Sequence, residues 1–166
     1  SQFTRSHWSN TFKSQIICIP LFSVEEVNST LKQSCSLNMS EIVTVVRPVE
    51  QKGLGRLLKV AELMPKHTIK AFGISREEMQ CFGDVPNNLE CYKYASTENI
   101  YLENSIFILL SKWEGLSIAT LEAMNHGLIC VCTSVGAIAD HLDHQKEFLI
   151  PSVDDDTVAK LLVEKI

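Results

Sequence analysis

Residues 105–134 read SIFILLSKWEGLSIATLEAMNHGLICVCTS, and this stretch decides the fold class. Two apolar runs of strand length, 105–111 and 128–134, enclose a segment with helical spacing at 117–126. Both runs are continuous rather than alternating, which is typical of strands buried on both faces of a parallel sheet. Gly127 stands where a helix usually ends. The stretch therefore predicts a strand–helix–strand unit of an α/β fold.

The rest of the chain continues this alternation. Further apolar runs of strand length lie at 16–22, 41–47, 68–73 and 89–94. Helical spacing recurs at 54–64, at 96–105 behind Ser96 as a helix-capping residue, and after the DDD run at 154–156. We predict one domain over 1–166 with a doubly wound, Rossmann-like parallel sheet.

Composition limits the classes of partner. The 166 residues carry a net charge of −5 with 45% hydrophobic and 21% charged residues, and no basic stripe suggests a nucleic acid partner. No apolar run approaches the ~20 residues of a membrane helix, and no signal peptide opens the chain. The chain begins with serine. We therefore expect a cytoplasmic domain excised from a longer protein.

The six cysteines and the ADHLDH stretch at 139–144 are the residues that could suggest a metal site. No two cysteines form a C-x-x-C pair, and several sit inside apolar runs, where cysteine behaves as a small buried hydrophobe. Reduced thiols fit the cytoplasm. His141 and His144 are interpreted as surface residues of a helix. The sequence predicts no metal.

The segment EGLS at 114–117 follows a predicted strand and opens a predicted helix. The free backbone N–H groups of Leu116, Ser117 and Ile118, together with the helix dipole, would form an anion site suited to a diphosphate. The alternative is that Ser117 merely caps the helix. Ligands of doubly wound sheets bind at this edge, the carboxyl ends of the strands.

Two carboxylates flank this turn. Glu122 lies on an otherwise apolar helix, where an unpaired carboxylate is costly, and the vicinal hydroxyls of a ribose would satisfy it. Glu114 stands before the helix and would meet a sugar attached to the diphosphate. The alternative is that either glutamate pairs with a lysine or arginine elsewhere.

A second cluster lies in VVRPVEQKG at 45–53. Arg47 ends a predicted strand, Lys52 follows, and Gly53 starts a helix. Two cations beside a helix N-terminus suit a pyrophosphate. Taken alone, this pattern of two cations is more typical of surface charges than of a phosphate site.

Together these motifs resemble a known family. The order R-x4-KG, a glycine after a strand (Gly73), and then S-x-x-EG-x-S-x4-EAM-x-x-G is similar to the C-terminal donor domain of retaining GT-B glycosyltransferases of family 4, whose signature is the E-x7-E spacing. The stretches LICVCTSVGAIADHL and FLIPSVDDDTVAKLL resemble the following strand and loop, with Gly136 near the donor, and the closing turn and helix. The resemblance covers nearly the whole chain and is strongest from 105 to 163.

The resemblance implies specific roles. Arg47 and Lys52 would hold the donor phosphates and stabilise the leaving diphosphate, Glu122 would bind the ribose, and Glu114 would contact the transferred sugar. Gly73 and Gly136 would approach the donor closely, and Leu116, Ser117 and Ile118 would offer backbone amides to phosphate. Transfer would retain configuration and require no metal or other cofactor.

The implied protein is a hexosyltransferase-type enzyme of polysaccharide or glycolipid synthesis. Its donor is a nucleoside-diphosphate sugar, and its acceptor, a saccharide or lipid-linked saccharide, would bind an N-terminal domain absent from this chain. The chain alone is expected to be inactive, and the full-length enzyme is compatible with peripheral membrane association. Val46 and Lys93 depart from glycines common in the family, and Lys93 affects the expected base pocket.

Two other functions remain open from the sequence. One is a non-catalytic relative that binds a nucleotide or a partner protein through the same surface. The other is a different α/β nucleotide binder such as a dinucleotide enzyme, which the absence of a G-x-G-x-x-G turn disfavours.

Overall fold

The computed structural model describes residues 41–95, 100–101, 106–138 and 148–166. The strand predicted at 16–22, most of the helix predicted at 96–105 and the whole ADHLDH stretch at 139–144 lie outside these residues.

The described residues contain one six-stranded sheet in the order β3-β2-β1-β4-β5-β6, and every neighbouring pair is parallel. This arrangement confirms the Rossmann-like α/β prediction. Five strands fall within the predicted apolar runs, and the sixth is the short strand of the closing segment. They are β1 (Glu41–Val45), β2 (Thr68–Phe72), β3 (Leu89–Tyr92), β4 (Ile106–Leu109), β5 (Ile129–Thr133) and β6 (Leu149–Ile150).

The strand order reverses at β1. The chain runs outward from β1 through β2 to β3, and β4 then pairs with the other side of β1. The loops that leave β1 and β4 therefore diverge from neighbouring strand ends, which is where doubly wound sheets form a ligand crevice. Both predicted site clusters lie in these two loops.

Four α-helices with both ends inside the described residues flank the sheet. The helices are α1 (Leu54–Leu63), α2 (Arg76–Gln80), α3 (Ile118–Asn125) and α4 (Asp155–Lys165). A short 3₁₀ turn (Glu50–Lys52) leads into α1. The side chains of Ser117 and Asp154 cap the N-termini of α3 and α4.

The helix α2 was not predicted. Five residues are too few for a periodic pattern, but Ser75 and Glu78 form a reciprocal capping box that fixes its N-terminus. The helical spacing at 54–64 corresponds to α1, whose last residue Leu63 is exposed, whereas Met64 immediately after it is buried.

The two faces of the sheet bury separate apolar clusters. Because side chains alternate along a strand, Ile106 and Ile108 enter the cluster shared with α1 and α4, while Phe107 and Leu109 enter the cluster shared with α3. Burial on both faces explains why the strand sequences are continuously apolar.

The four described cysteines are free thiols. Cys130 and Cys132 are buried, as predicted from the run LICVCTS, and burial raises the pKa of Cys130 to about 12. Cys91 is half-buried. Cys81, which lies outside the apolar runs, is exposed after α2. Among the described helices, none is long and apolar enough to cross a membrane.

Candidate functional site

Lys52 and Glu114 meet at the carboxyl edge of the sheet. The Lys52 Nζ lies 2.6 Å from the Glu114 Oε1, and the two side chains are only 14% and 6% exposed. Lys52 lies at the end of the 3₁₀ turn after β1, and Glu114 lies in the loop after β4. The structure therefore joins the two predicted clusters into one. Of the two alternatives for Glu114, the structure shows pairing with a basic residue, Lys52.

Ser111 is the second partner of Glu114. Its fully buried hydroxyl donates to the same Oε1 at 2.6 Å. Oε2 has no hydrogen bond to any residue in the described part of the chain. Two donors thus fix one oxygen of Glu114, while its other oxygen keeps its capacity to accept hydrogen bonds.

Backbone and side-chain contacts hold the loop after β1 and the loop after β4 together. The Lys112 N–H donates to the Gln51 carbonyl at 2.8 Å, and the Gln51 Nε2 donates to the Trp113 carbonyl at 3.0 Å. The Lys112 ammonium also pairs with Glu50 at 3.0 Å. The positions of Lys52 and Glu114 are therefore set by the loops rather than by their own side chains alone.

Arg56 of α1 supports the loop after β4, which carries Glu114. Its side chain is almost fully buried in α1, and its Nε lies 2.7 Å from the Asp155 Oδ1. Its terminal nitrogens donate to the carbonyls of Leu110 at 3.2 Å, Ser111 at 3.3 Å and Val153 at 2.9 Å. One guanidinium thus ties the loop that carries Glu114 to the N-terminus of α4.

The N-terminus of α3 opens on this site. The Ser117 hydroxyl accepts from the Thr120 N–H at 3.3 Å, so the predicted cap is present. The backbone N–H groups of Leu116, Ser117 and Ile118 have no backbone partner among the described residues. These donors and the helix dipole provide a positive field beside Lys52 and Glu114.

Glu122 lies half-buried one turn into α3. Its Oε2 accepts a hydrogen bond from the Tyr101 hydroxyl at 3.0 Å. The His126 Nδ1 lies 2.8 Å from the Glu122 backbone carbonyl and not from its carboxylate. Within the described residues the carboxylate has no basic partner.

Arg47 lies two residues beyond the end of β1 at Val45, rather than at the strand end as predicted, and it is exposed. Its guanidinium makes no hydrogen bond or ion pair with another described residue. The side chain is therefore a cation beyond the strand end that is available to a ligand, in contrast to Lys52.

Gly73 and Gly136 allow close backbone approaches. A Cβ on Gly73 would lie 2.2 Å from the Val46 carbonyl oxygen, and one on Gly136 would lie 2.0 Å from that of Glu114. The Ala137 N–H also donates to the Gly115 carbonyl at 2.9 Å. Packing of neighbouring loops thus requires both glycines, and their predicted contact with a donor stays a prediction.

Comparison with known proteins identifies the family. The sequence profile of the group 1 glycosyl transferases matches residues 40–165, which is most of the chain and includes every site residue above. This chain belongs to the group 1 glycosyl transferases. No curated protein sequence matched it.

Solved structures share the fold of this group 1 domain at low sequence identity. The pneumococcal O-GlcNAc transferase GtfA, in complex with UDP and GlcNAc, is 19% identical with a TM-score of 0.72 over 99% of this chain and 35% of its own. TarM of S. aureus, in complex with UDP among other ligands, is 14% identical with a TM-score of 0.75 over 99% and 35%. HepE of Anabaena, in complex with UDP and glucose, is 16% identical with a TM-score of 0.60 over 75% and 38%. The chain thus spans little more than a third of the length of these proteins.

The sequence singled out Lys52, Glu114 and Glu122 but not the residues that hold them. Ser111 begins the S-x-x-E motif and could have been found from it. Arg56 contacts Asp155, 99 positions away, and Tyr101 contacts Glu122, 21 positions away. No local sequence pattern predicts such pairs.

Proposed function

We propose that the chain is the donor-binding domain of a retaining glycosyltransferase that uses a UDP-sugar and transfers a hexose to a saccharide or lipid-linked acceptor. Membership of the group 1 family supports the reaction class, and the complexes of GtfA, TarM and HepE with UDP favour uracil as the base of the donor nucleotide. The acceptor would bind a second domain of a longer cytoplasmic protein. No metal is required, because the site supplies its own positive charge.

The observation that carries this proposal is the convergence of Lys52, Glu114 and the N-terminus of α3 at the switch point of the sheet. A lysine ammonium has three donors, and Glu114 uses one of them. Lys52 can therefore hold Glu114 and a phosphate oxygen at the same time. Pairing also neutralises a carboxylate that would otherwise repel the diphosphate.

The chemistry follows from this charge distribution. When the bond between the sugar C1 and the diphosphate oxygen breaks, negative charge develops on the departing phosphate. Arg47, Lys52 and the amides of the α3 N-terminus stabilise that charge in the transition state. Oε2 of Glu114 is left to accept from hydroxyls of the transferred sugar, and the carboxylate of Glu122 accepts from the ribose.

Calorimetric titration in the presence of EDTA tests the proposal. We expect UDP to bind more tightly than GDP or ADP. Glu122→Gln should weaken UDP binding about 10- to 100-fold, because a charge-assisted hydrogen bond contributes roughly 1.5–3 kcal/mol. Glu114→Gln should leave UDP binding unchanged or slightly tighter, because it releases Lys52, and should weaken binding of the intact UDP-sugar.

The matched control is Glu164→Gln, which removes an exposed carboxylate on α4. It should change neither affinity. Absence of UDP binding in the wild type would refute the proposal and favour a relative that binds a partner protein. Equal losses for Glu114→Gln and Glu122→Gln on UDP would refute the assignment of the two acids.

We further expect the 166 residues alone to transfer no sugar, although they bind the donor. The proteins that share this fold are nearly three times as long, and the acceptor is proposed to bind in the remainder. Product formation from a radiolabelled UDP-sugar with a panel of saccharide acceptors is the measurement. Robust transfer by this chain would contradict the assignment of the acceptor to another domain.

A further inference from the structure

Tyr101 is the residue that reaches Glu122 from the core. Its ring is buried against Phe107 and His126, with ring centroids 6.3 and 5.0 Å away, and the residue is only 1% exposed. Its hydroxyl lies 3.0 Å from the Glu122 Oε2 and 3.4 Å from the Ala119 carbonyl oxygen. The phenol has one proton to donate, and the nearer, charged acceptor takes it.

The phenol is a permanent donor under ordinary conditions. Burial, and then the hydrogen bond to Glu122, raise the pKa of Tyr101 well above its usual range. The hydroxyl therefore stays protonated, and able to donate, at every pH at which the protein is handled.

Among the described residues, the carboxylate of Glu122 is held by one oxygen only. Oε2 has the Tyr101 hydroxyl, and Oε1 has no hydrogen bond to any of these residues. A carboxylate can accept about four hydrogen bonds, so the described residues use only part of its capacity. A half-buried acid in this state is oriented by the phenol and remains open to donors from a ligand.

We propose that Tyr101 is a positioning residue for the donor nucleotide: its hydroxyl fixes Glu122 by one oxygen and thereby presents the other to the ribose hydroxyls. This inference rests on the proposed function, because it deepens the role of Glu122. The gain is pre-organisation, since a carboxylate already held in its rotamer loses less entropy when the ribose binds.

The test compares UDP with its 2′,3′-dideoxy analogue, which lacks both ribose hydroxyls. In the wild type, the dissociation constant of the dideoxy analogue divided by that of UDP measures how much those hydroxyls contribute to binding. Tyr101→Phe removes a single oxygen from the buried ring. We expect it to weaken UDP binding about 3- to 10-fold and to leave the dideoxy analogue almost unaffected, so that the ratio falls.

A structural role alone would weaken both ligands equally and leave the ratio unchanged, and that result would overturn the inference. Tyr92→Phe is the matched control, because it deletes another tyrosine–glutamate hydrogen bond, 2.6 Å long and exposed, to Glu90. It should leave the ratio at the wild-type value. In a Glu122→Gln background, Tyr101→Phe should lower the ratio no further, because its effect passes through Glu122.

A second measurement covers the case in which Tyr101→Phe does not fold. The chain has three tyrosines, so a Tyr92→Phe/Tyr94→Phe variant keeps Tyr101 as its single one, and 3-fluorotyrosine in that variant gives one ¹⁹F resonance. We expect this resonance to shift in Glu122→Gln and on addition of UDP, and to shift less with the dideoxy analogue. A resonance insensitive to Glu122→Gln would overturn the inference.

The failure of the proposed function and the failure of this inference give different results. If the wild-type protein binds no UDP, the proposed function fails and this inference fails with it. If UDP binds and the ratio is unchanged in Tyr101→Phe, only the inference is overturned.

Discussion

Replacing Arg56 by methionine is expected to lower the free energy of unfolding by about 1–3 kcal/mol, the usual cost of leaving buried hydrogen-bonding groups without their partner. Methionine fills the volume of the arginine stem but carries no donor. The Leu110 and Val153 carbonyls would then lose their side-chain donor, and the Ser111 carbonyl would keep only the Thr133 hydroxyl. Asp155 would keep only Lys112, whose ammonium lies 3.9 Å away. Urea unfolding followed by circular dichroism measures the loss.

Lys59→Met is the matched control for this experiment. Lys59 lies on the same helix and pairs with Asp156, but the two side chains are 39% and 69% exposed. Solvent screens such a pair, so its removal should cost only a small part of what Arg56→Met costs. Similar losses for the two variants would show that Arg56 is not the support of the Glu114 loop described here.

Gly136→Ala is expected to destabilise the protein by about 2–5 kcal/mol. A left-handed backbone costs a non-glycine residue roughly 1–2 kcal/mol, and overpacking costs a further 1–3 kcal/mol. Both terms apply, because φ is +60° and the added Cβ would lie 2.0 Å from the Glu114 carbonyl oxygen. The loops after β4 and β5 would have to separate, so UDP binding should fall as well.

Gly127→Ala separates the two terms. Gly127 has φ +78°, but a Cβ there would meet nothing within 4 Å. It should therefore cost only the backbone term, roughly 1–2 kcal/mol, and leave UDP binding unchanged. The same unfolding and titration experiments apply, and equal effects of the two substitutions on UDP binding would contradict the close packing of the loops as the cause.

Much of the fold was predictable because its signals are local. A strand buried on both faces is apolar at every position, as in 105–111 and 128–134, and Gly127 and Ser117 mark the ends of α3 in the sequence itself. The helix α2 was missed because five residues carry no period, although the spacing of Ser75 and Glu78 was a usable signal.

The site was predictable in part. Lys52, Glu114 and Glu122 stand out because charged residues beside apolar strands need an explanation. Their partners depend on how distant loops pack, and sequence spacing carries little information on that. The pairing of Glu114 with a basic residue was one of two alternatives, and only the fold identifies Lys52, 62 positions away, as its partner.

The Lys52–Glu114 pair has a consequence for how this sequence can evolve. Each charge is nearly enclosed, so losing one leaves the other buried without its counterion, which is costly for stability before any ligand is considered. A substitution at one of the two positions is therefore expected to destabilise the protein. Replacement of both residues together is expected to be tolerated better, so that the 3₁₀ turn after β1 and the loop after β4 would vary together in related sequences.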